Sequence, residues 1–337
     1  MTNAAPLEYA KVGVRRFPLP SRQGLPLLVT LLVCVLMYVA AGLRYDNFFT
    51  PQVAINLIGD NAFLGVAAVG MTFVILSGGI DLSVGTAIGC TSVFIASMVE
   101  NYGWHPGLAI AVALAGGTLV GLAQGSLIAF FELQPFLVTL GGLFFYRGMG
   151  LLVSRESISL NNPLYVRLSE FGLSLGGDTR VPLVAIIFIA LLLVAIYVAR
   201  WRPAGRAIYA LGGNEQSALL MGLPVRRTKV GVYAFSGFCA ALAGVTATIF
   251  TSSGAALTGA GLELDAIAAV VIGGTLLSGG VGGPVGTLLG VLIFGIIQTA
   301  INFEGTLSSW WARIVVGLLL LAFILLQTLL QPREAHS

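Results

Sequence analysis

The chain has 337 residues, of which Lys, Arg, Asp and Glu supply only 9% against 57% hydrophobic residues, with a net charge of +3. A soluble domain carries about 25% charged residues, so this chain lacks the polar surface to cover a water-exposed fold, and its mean hydropathy of +0.96 places it among polytopic membrane proteins. The small net charge gives no indication of a nucleic-acid partner, and 44 glycines suit close helix packing and broken helices in a bilayer.

In chain order, the stretches free of charged residues run 23–43, 61–80, 82–99, 101–131, 133–146, 181–199, 230–262, 266–303 and 314–332. About 20 apolar residues cross a hydrocarbon core of roughly 30 Å. The fifth stretch must extend past Arg147 to about residue 153, and the eighth is too long for one crossing. Gly and Pro interrupt it at "SGGVGGP", 278–284. The fold predicted is therefore all-α: about ten transmembrane helices over 25–330, between a segment 1–24 and a tail 331–337. The first stretch is longer than a signal-peptide core and reads as a retained span.

Basic residues orient the spans. Lys11, Arg15, Arg16 and Arg22 precede the first, and Arg200, Arg202, Arg206, Arg226, Arg227 and Lys229 stand against a lone Glu215 in 200–229. Both segments are expected in the cytoplasm, with ten spans returning both termini there and placing 154–181, whose three Arg are balanced by Glu156, Glu170 and Asp178, outside.

Cys34, Cys90 and Cys239 are scattered among spans, and His105 and His336 sit in a loop and the tail, so no disulfide, metal or His-based catalytic set is expected. The chain has no phosphate-binding GxxxxGK[ST] loop, so nucleotide hydrolysis by this polypeptide is not expected.

Residues 68–86, "AVGMTFVILSGGIDLSVGT", and 269–287, "AVVIGGTLLSGGVGGPVGT", match without a gap at nine of 19 positions. This reads as an internal repeat whose helices break at Gly78–Gly79 and Gly279–Gly280, as transporter repeats do near a substrate route. Its sense, parallel or inverted, stays open at this level. Gly78 and Gly79 suit left-handed conformations, and Asp81 or Ser83 suits the cap of the following helix. For Asp81, and for Asp265 before "AIAAVVIGG", the cap is the first reading and substrate contact the second. Glu263 and Asp265 flank a run, 266–277, too short to cross the core, which suits a half helix beside a wet cavity. Asp60 and Asn61 lie near the outer end of the second span. Asn56, Gln124, Gln298, Thr299 and Asn302 can hydrogen-bond a hydroxylated solute or join helices; Phe63, Phe73, Phe144, Phe145, Trp310 and Trp311 can stack on a sugar, pack the core or anchor the interface.

Within 205–229, Asn214 suits an N-cap, Glu215 the positive end of a helix dipole, Gly222 a left-handed terminus and Pro224 a stop. A helix over 215–221 follows, too short to be stable alone, with Leu219, Leu220 and Met221 as an apolar ridge. It either rests on the membrane interface or docks into a cytoplasmic partner.

"DNAFLGVAAVGMTFVILSGGIDLSVG" (60–85), "YALGGNEQSALLMGL" (209–223) and "GLELDAIAAVVIGGTLLSGGVGGPVGTLLG" (261–290) resemble the permeases of ATP-binding-cassette sugar importers, in the ribose, xylose and galactofuranose branch, from about residue 27 to 330. "INFEGTLSSWW" (301–311) and "LNNPLY" (160–165) are most similar to the galactofuranose permeases of that branch. The resemblance implies a transport subunit in a bacterial inner membrane, paired with an identical or homologous permease. It also implies a separate ATPase subunit that holds ATP and Mg, with no cofactor in this chain, and a periplasmic sugar-binding protein. The 215–221 helix becomes the coupling helix that seats in the ATPase, and transport proceeds by alternating access. An ion-gradient carrier is the principal alternative, but it needs several ionisable groups deep in spans, where only Arg147, Glu263 and Asp265 qualify. A non-transporting scaffold is another, and a different pentose or hexose is the alternative within the family.

Overall fold

The computed structural model describes residues 25–176, 179–306 and 310–330. The terminal segments 1–24 and 331–337, expected in the cytoplasm, lie outside the described residues. The helices are α1 (Leu25–Arg44), α2 (Pro51–Gly59), α3 (Ala62–Leu76), α4 (Val84–Glu100), α5 (Pro106–Phe130), α6 (Pro135–Val153), α7 (Pro163–Glu170), α8 (Leu183–Trp201), α9 (Pro203–Gly213), α10 (Glu215–Leu220), α11 (Val225–Thr251), α12 (Leu262–Ile272), α13 (Pro284–Glu304) and α14 (Trp310–Leu330). Two small antiparallel ribbons accompany them. Strand β1 (Ile158–Ser159) pairs with β4 (Ser253–Gly254), and β2 (Gly172–Gly176) with β3 (Thr179–Pro182).

The protein is thus a polytopic all-α bundle. Among the described residues, six helices are long and apolar enough to cross a membrane: α1, α5, α6, α8, α11 and α13. The pair α2 and α3 adds a seventh across a 54° bend. Each of the ten predicted spans coincides with a helix, but α4 has 17 residues and α12 only 11, about 16 Å for the latter, so the short run before the second break is a half helix. The sequence reading missed α2, α7, α9 and the ribbons, which lie in or beside connections.

Helix α3 forms the centre. Fourteen of its 15 residues are buried, so it is apolar all round, as a helix enclosed by others must be. Helix α11 packs along it with Gly70 against Cys239, and along α5 with Gly117 and Gly121 against Gly237 and Tyr233. Glycines at these crossings let backbones approach where a Cβ would collide.

One end of the bundle gathers α9, α10, both helix breaks, Pro26 of α1 against Gly274, and Gln327 of α14, whose amide donates to the Val271 carbonyl at 3.2 Å. The opposite end holds α7 and the ribbons, where the Glu100 carboxylate accepts from the Asn161 and Asn162 amides. Each copy of the repeat runs toward the α9 end, breaks there and turns back, so the two copies are parallel.

Between α11 and α12, the chain returns along α4 through β4 and then residues 255–261 as irregular backbone. Such backbone is tolerated at membrane depth only where protein or water satisfies it. Here Ser92 Oγ donates to the Ala255 carbonyl at 3.0 Å and accepts from the Ala255 amide at 3.3 Å, and added Cβ atoms on Gly85 or Gly89 would overlap the returning chain.

Candidate functional site

The two breaks touch. Gly78, Gly279 and Gly280 have φ of +83°, +86° and +73°, where a side chain is strained; Gly79 does not, contrary to the expectation that both glycines of the first pair turn left-handed. The Gly280 amide donates to the Leu76 carbonyl at 3.0 Å, and the Thr72 and Thr287 hydroxyls share a buried hydrogen bond of 2.6 Å. The cap readings require correction. Neither Asp81 nor Ser83 caps the first turn of α4. Asp81, 1% exposed, accepts from the Ser83 amide at 3.0 Å, the Ser83 hydroxyl at 2.6 Å and the Ser236 hydroxyl of α11 at 2.7 Å, because burial makes a carboxylate collect every donor in reach. Gln124 also joins this cluster through Ser83. Ser236 was missed by the sequence reading; its signal is a hydroxyl in the apolar run "YAFSGFCAALAG".

Helix α9 presses on these breaks, and α10 continues from it. Asn214 ends α9 and starts α10, its Oδ1 accepting from the Ser217 amide at 2.7 Å. Gly222 has a φ of +75°, which ends the short helix. The helix closes at Leu220 with Met221 as its cap, one residue earlier than the sequence suggests. Ala218 packs with Leu211 and Val225, and Lys229 Nζ pairs with Glu215 at 2.6 Å, which holds α10 to α9 and α11. Leu219, Leu220 and Met221 are left 64%, 89% and 67% exposed. On the other side, Gly212 lies so close to Leu76 that an added Cβ would overlap its carbonyl oxygen. Gly279 abuts Gly212, and the Tyr209 hydroxyl donates to the Gly282 carbonyl at 2.8 Å. Burial pushes the Tyr209 phenol upward.

Six of the sequence-selected polar residues, Asp60, Asn61, Asp265, Gln298, Thr299 and Asn302, meet around one cleft of about 480 Å³. The cleft opens between the α2–α3 bend and helices α12, α13 and α14. Phe63, Phe250, Trp310 and Arg313 complete the ring of side chains that matter to its chemistry. Asp265 is not a cap: α12 starts at Leu262 after Gly261, whose φ is +86°, and Asp265 sits inside the helix, lining the same cleft as Arg313 of α14. Arg313 stacks on Trp310 at 4.8 Å. Asn61 spends its amide N–H on the Leu57 carbonyl at 3.0 Å. Glu263 does not join them. Its side chain turns to Gly85, with Oε2 buried and unpartnered, and Asp81 is likewise separate. Arg313 and Phe250 were missed because nothing local distinguishes an arginine or phenylalanine near a span end.

Residues 53–324 match the family model described as branched-chain amino acid transport system / permease component. The chain is 48% identical to the inner membrane ABC transporter permease protein YjfF of Escherichia coli K12, over 91% of this chain and 92% of that one. It is 37% identical to the ribose import permease protein RbsC of Bacillus subtilis 168, over 86% and 89% of the two chains. To the fructose import permease protein FruG of Bifidobacterium longum it is 34% identical over 91% of each.

Proposed function

The chain belongs to the branched-chain amino acid transport system permease family, and from that premise we propose that it is the membrane subunit of an ATP-driven monosaccharide importer. The observation that carries this is similarity over about nine-tenths of the chain to permeases named for ribose and fructose import. Its companions are an ATPase subunit on the α9–α10 side, a second permease, and a sugar-binding protein on the side of α7. The α9–α10 side is the cytoplasm, and the membrane is the bacterial inner membrane. Galactofuranose is the first sugar to test, on the likeness of 160–165 and 301–311.

The exposed ridge of α10 suits insertion into a partner's groove, since Leu220 loses nothing inside its own fold when it docks. Displacement of α10 passes through Asn214 to α9 and from Gly212 to both breaks, a route made of packed backbone. Differential affinity of nucleotide and of loaded binding protein for two arrangements of the breaks then shifts access from one face to the other.

Proteoliposomes holding the permease, its partner permease, the ATPase and the binding protein test the proposal with a panel of labelled monosaccharides. ATP-dependent uptake is expected. Uptake driven by a proton or sodium gradient without ATP would assign the chain to ion-coupled carriers instead.

A further inference from the structure

The geometry points to a sugar-holding chamber within this single chain, the cleft between the α2–α3 bend, α12, α13 and α14, selective for neutral over anionic monosaccharides. The inference rests on the proposed import function and adds where, and on what chemistry, the sugar is held. Gln298 and Asn302, one helical turn apart on α13, share a face, and together with Asp60 and Asp265 they have no side-chain hydrogen bond among the described residues. Asp60, Gln298, Asn302 and Arg313 are also exposed. Charged and amide groups left open in this way cannot face hydrocarbon, so the cleft must be wet or occupied.

Its composition fits a polyhydroxylated ring. Sugar hydroxyls both donate and accept, and each costs several kcal/mol when stripped of partners. The two carboxylates accept, Arg313 donates, and the amides do both. Phe63 and Phe250 offer apolar surface for the ring's C–H groups. The volume of about 480 Å³ falls within the range of roughly 300–1,000 Å³ usual for small-molecule sites. Two carboxylates against one guanidinium leave the cleft net negative, which repels a uronic acid or sugar phosphate and leaves a neutral ring unaffected.

The test uses the full complex in proteoliposomes. Gln298→Ala and Asn302→Ala remove exposed side chains without internal bonds, so folding and assembly of the complex should hold. Uptake at subsaturating sugar should fall roughly tenfold for each, the effect of a lost hydrogen bond to a well-placed partner. In parallel, Asn302→Cys should react with a membrane-impermeant thiol reagent, and the reaction should slow with the neutral sugar but not with its uronic acid. Uptake equal to the parent in both alanine variants, or labelling indifferent to neutral sugar, would overturn the chamber while leaving the import function standing. A parent complex that imports no sugar would overturn both.

Discussion

Three hydrogen bonds converge on the Asp81 carboxylate, and one of the donors comes from Ser236, 155 residues away in sequence. From the sequence, Asp81 looks like a cap, because a Gly-Gly break followed by Asp is local chemistry and a partner on another helix is not. The bonds change what substitution should do. Hydrogen bonds to a charged acceptor are worth about 1.5–3 kcal/mol each, so Asp81→Ala, which strands the Ser83 and Ser236 donors in a buried site, should cost about 3 kcal/mol or more. Ser236→Ala should cost about 1–2 kcal/mol. If the two side chains act as one latch, the double variant should be less destabilised than the sum of the singles, as measured by thermal or denaturant unfolding of the purified chain in detergent. Strict additivity would mean that the Ser236 contact holds nothing.

Helix α10 was legible almost to the residue because every signal is local: Asn214 for the cap, Gly222 for a left-handed stop, Pro224 to end it. The contact of α9 with the breaks was not, since "YALGG" carries no sign that Gly212 must pass a carbonyl of a helix over a hundred residues earlier. The two features separate docking from transmission. Leu220→Asp alters a side chain 89% exposed and should leave stability within about 0.5 kcal/mol, yet abolish co-purification of the ATPase because a charge enters an apolar contact. Gly212→Ala keeps the ridge intact but drives a methyl into the Leu76 carbonyl, an overpacking worth about 1–3 kcal/mol. It should retain the ATPase while uptake per ATP hydrolysed falls. Equal behaviour of the two variants would show that α9 does not carry the movement.

At the scale of the molecule, the positions of the apolar helices and the repeat were readable because charge-free runs and Gly-rich punctuation repeat along the chain, while which helices are long enough to cross a membrane was not. The cleft was not, for it depends on α14 folding back beside α12 and on the bend that brings Asp60 toward Asn302. The bundle geometry sharpens the question of orientation. It places α9 and α10 at one end and α7 with the ribbons at the other, so a single labelling pattern fixes the whole arrangement. At the α9–α10 end, segment 200–229 carries Arg200, Arg202, Arg206, Arg226, Arg227 and Lys229 against Glu215, whereas in 154–181 the charges balance, and cytoplasmic connections are the ones enriched in cations. Glu170 and Gln216 are exposed at opposite ends, while the native Cys34 and Cys239 are buried and Cys90 is half-buried, which limits background. In spheroplasts, an impermeant maleimide should label Glu170→Cys at once and Gln216→Cys only after the membrane is opened. The reverse pattern would turn the bundle over, put α10 out of reach of any cytoplasmic ATPase, and remove the mechanical basis for powering this chain from a partner.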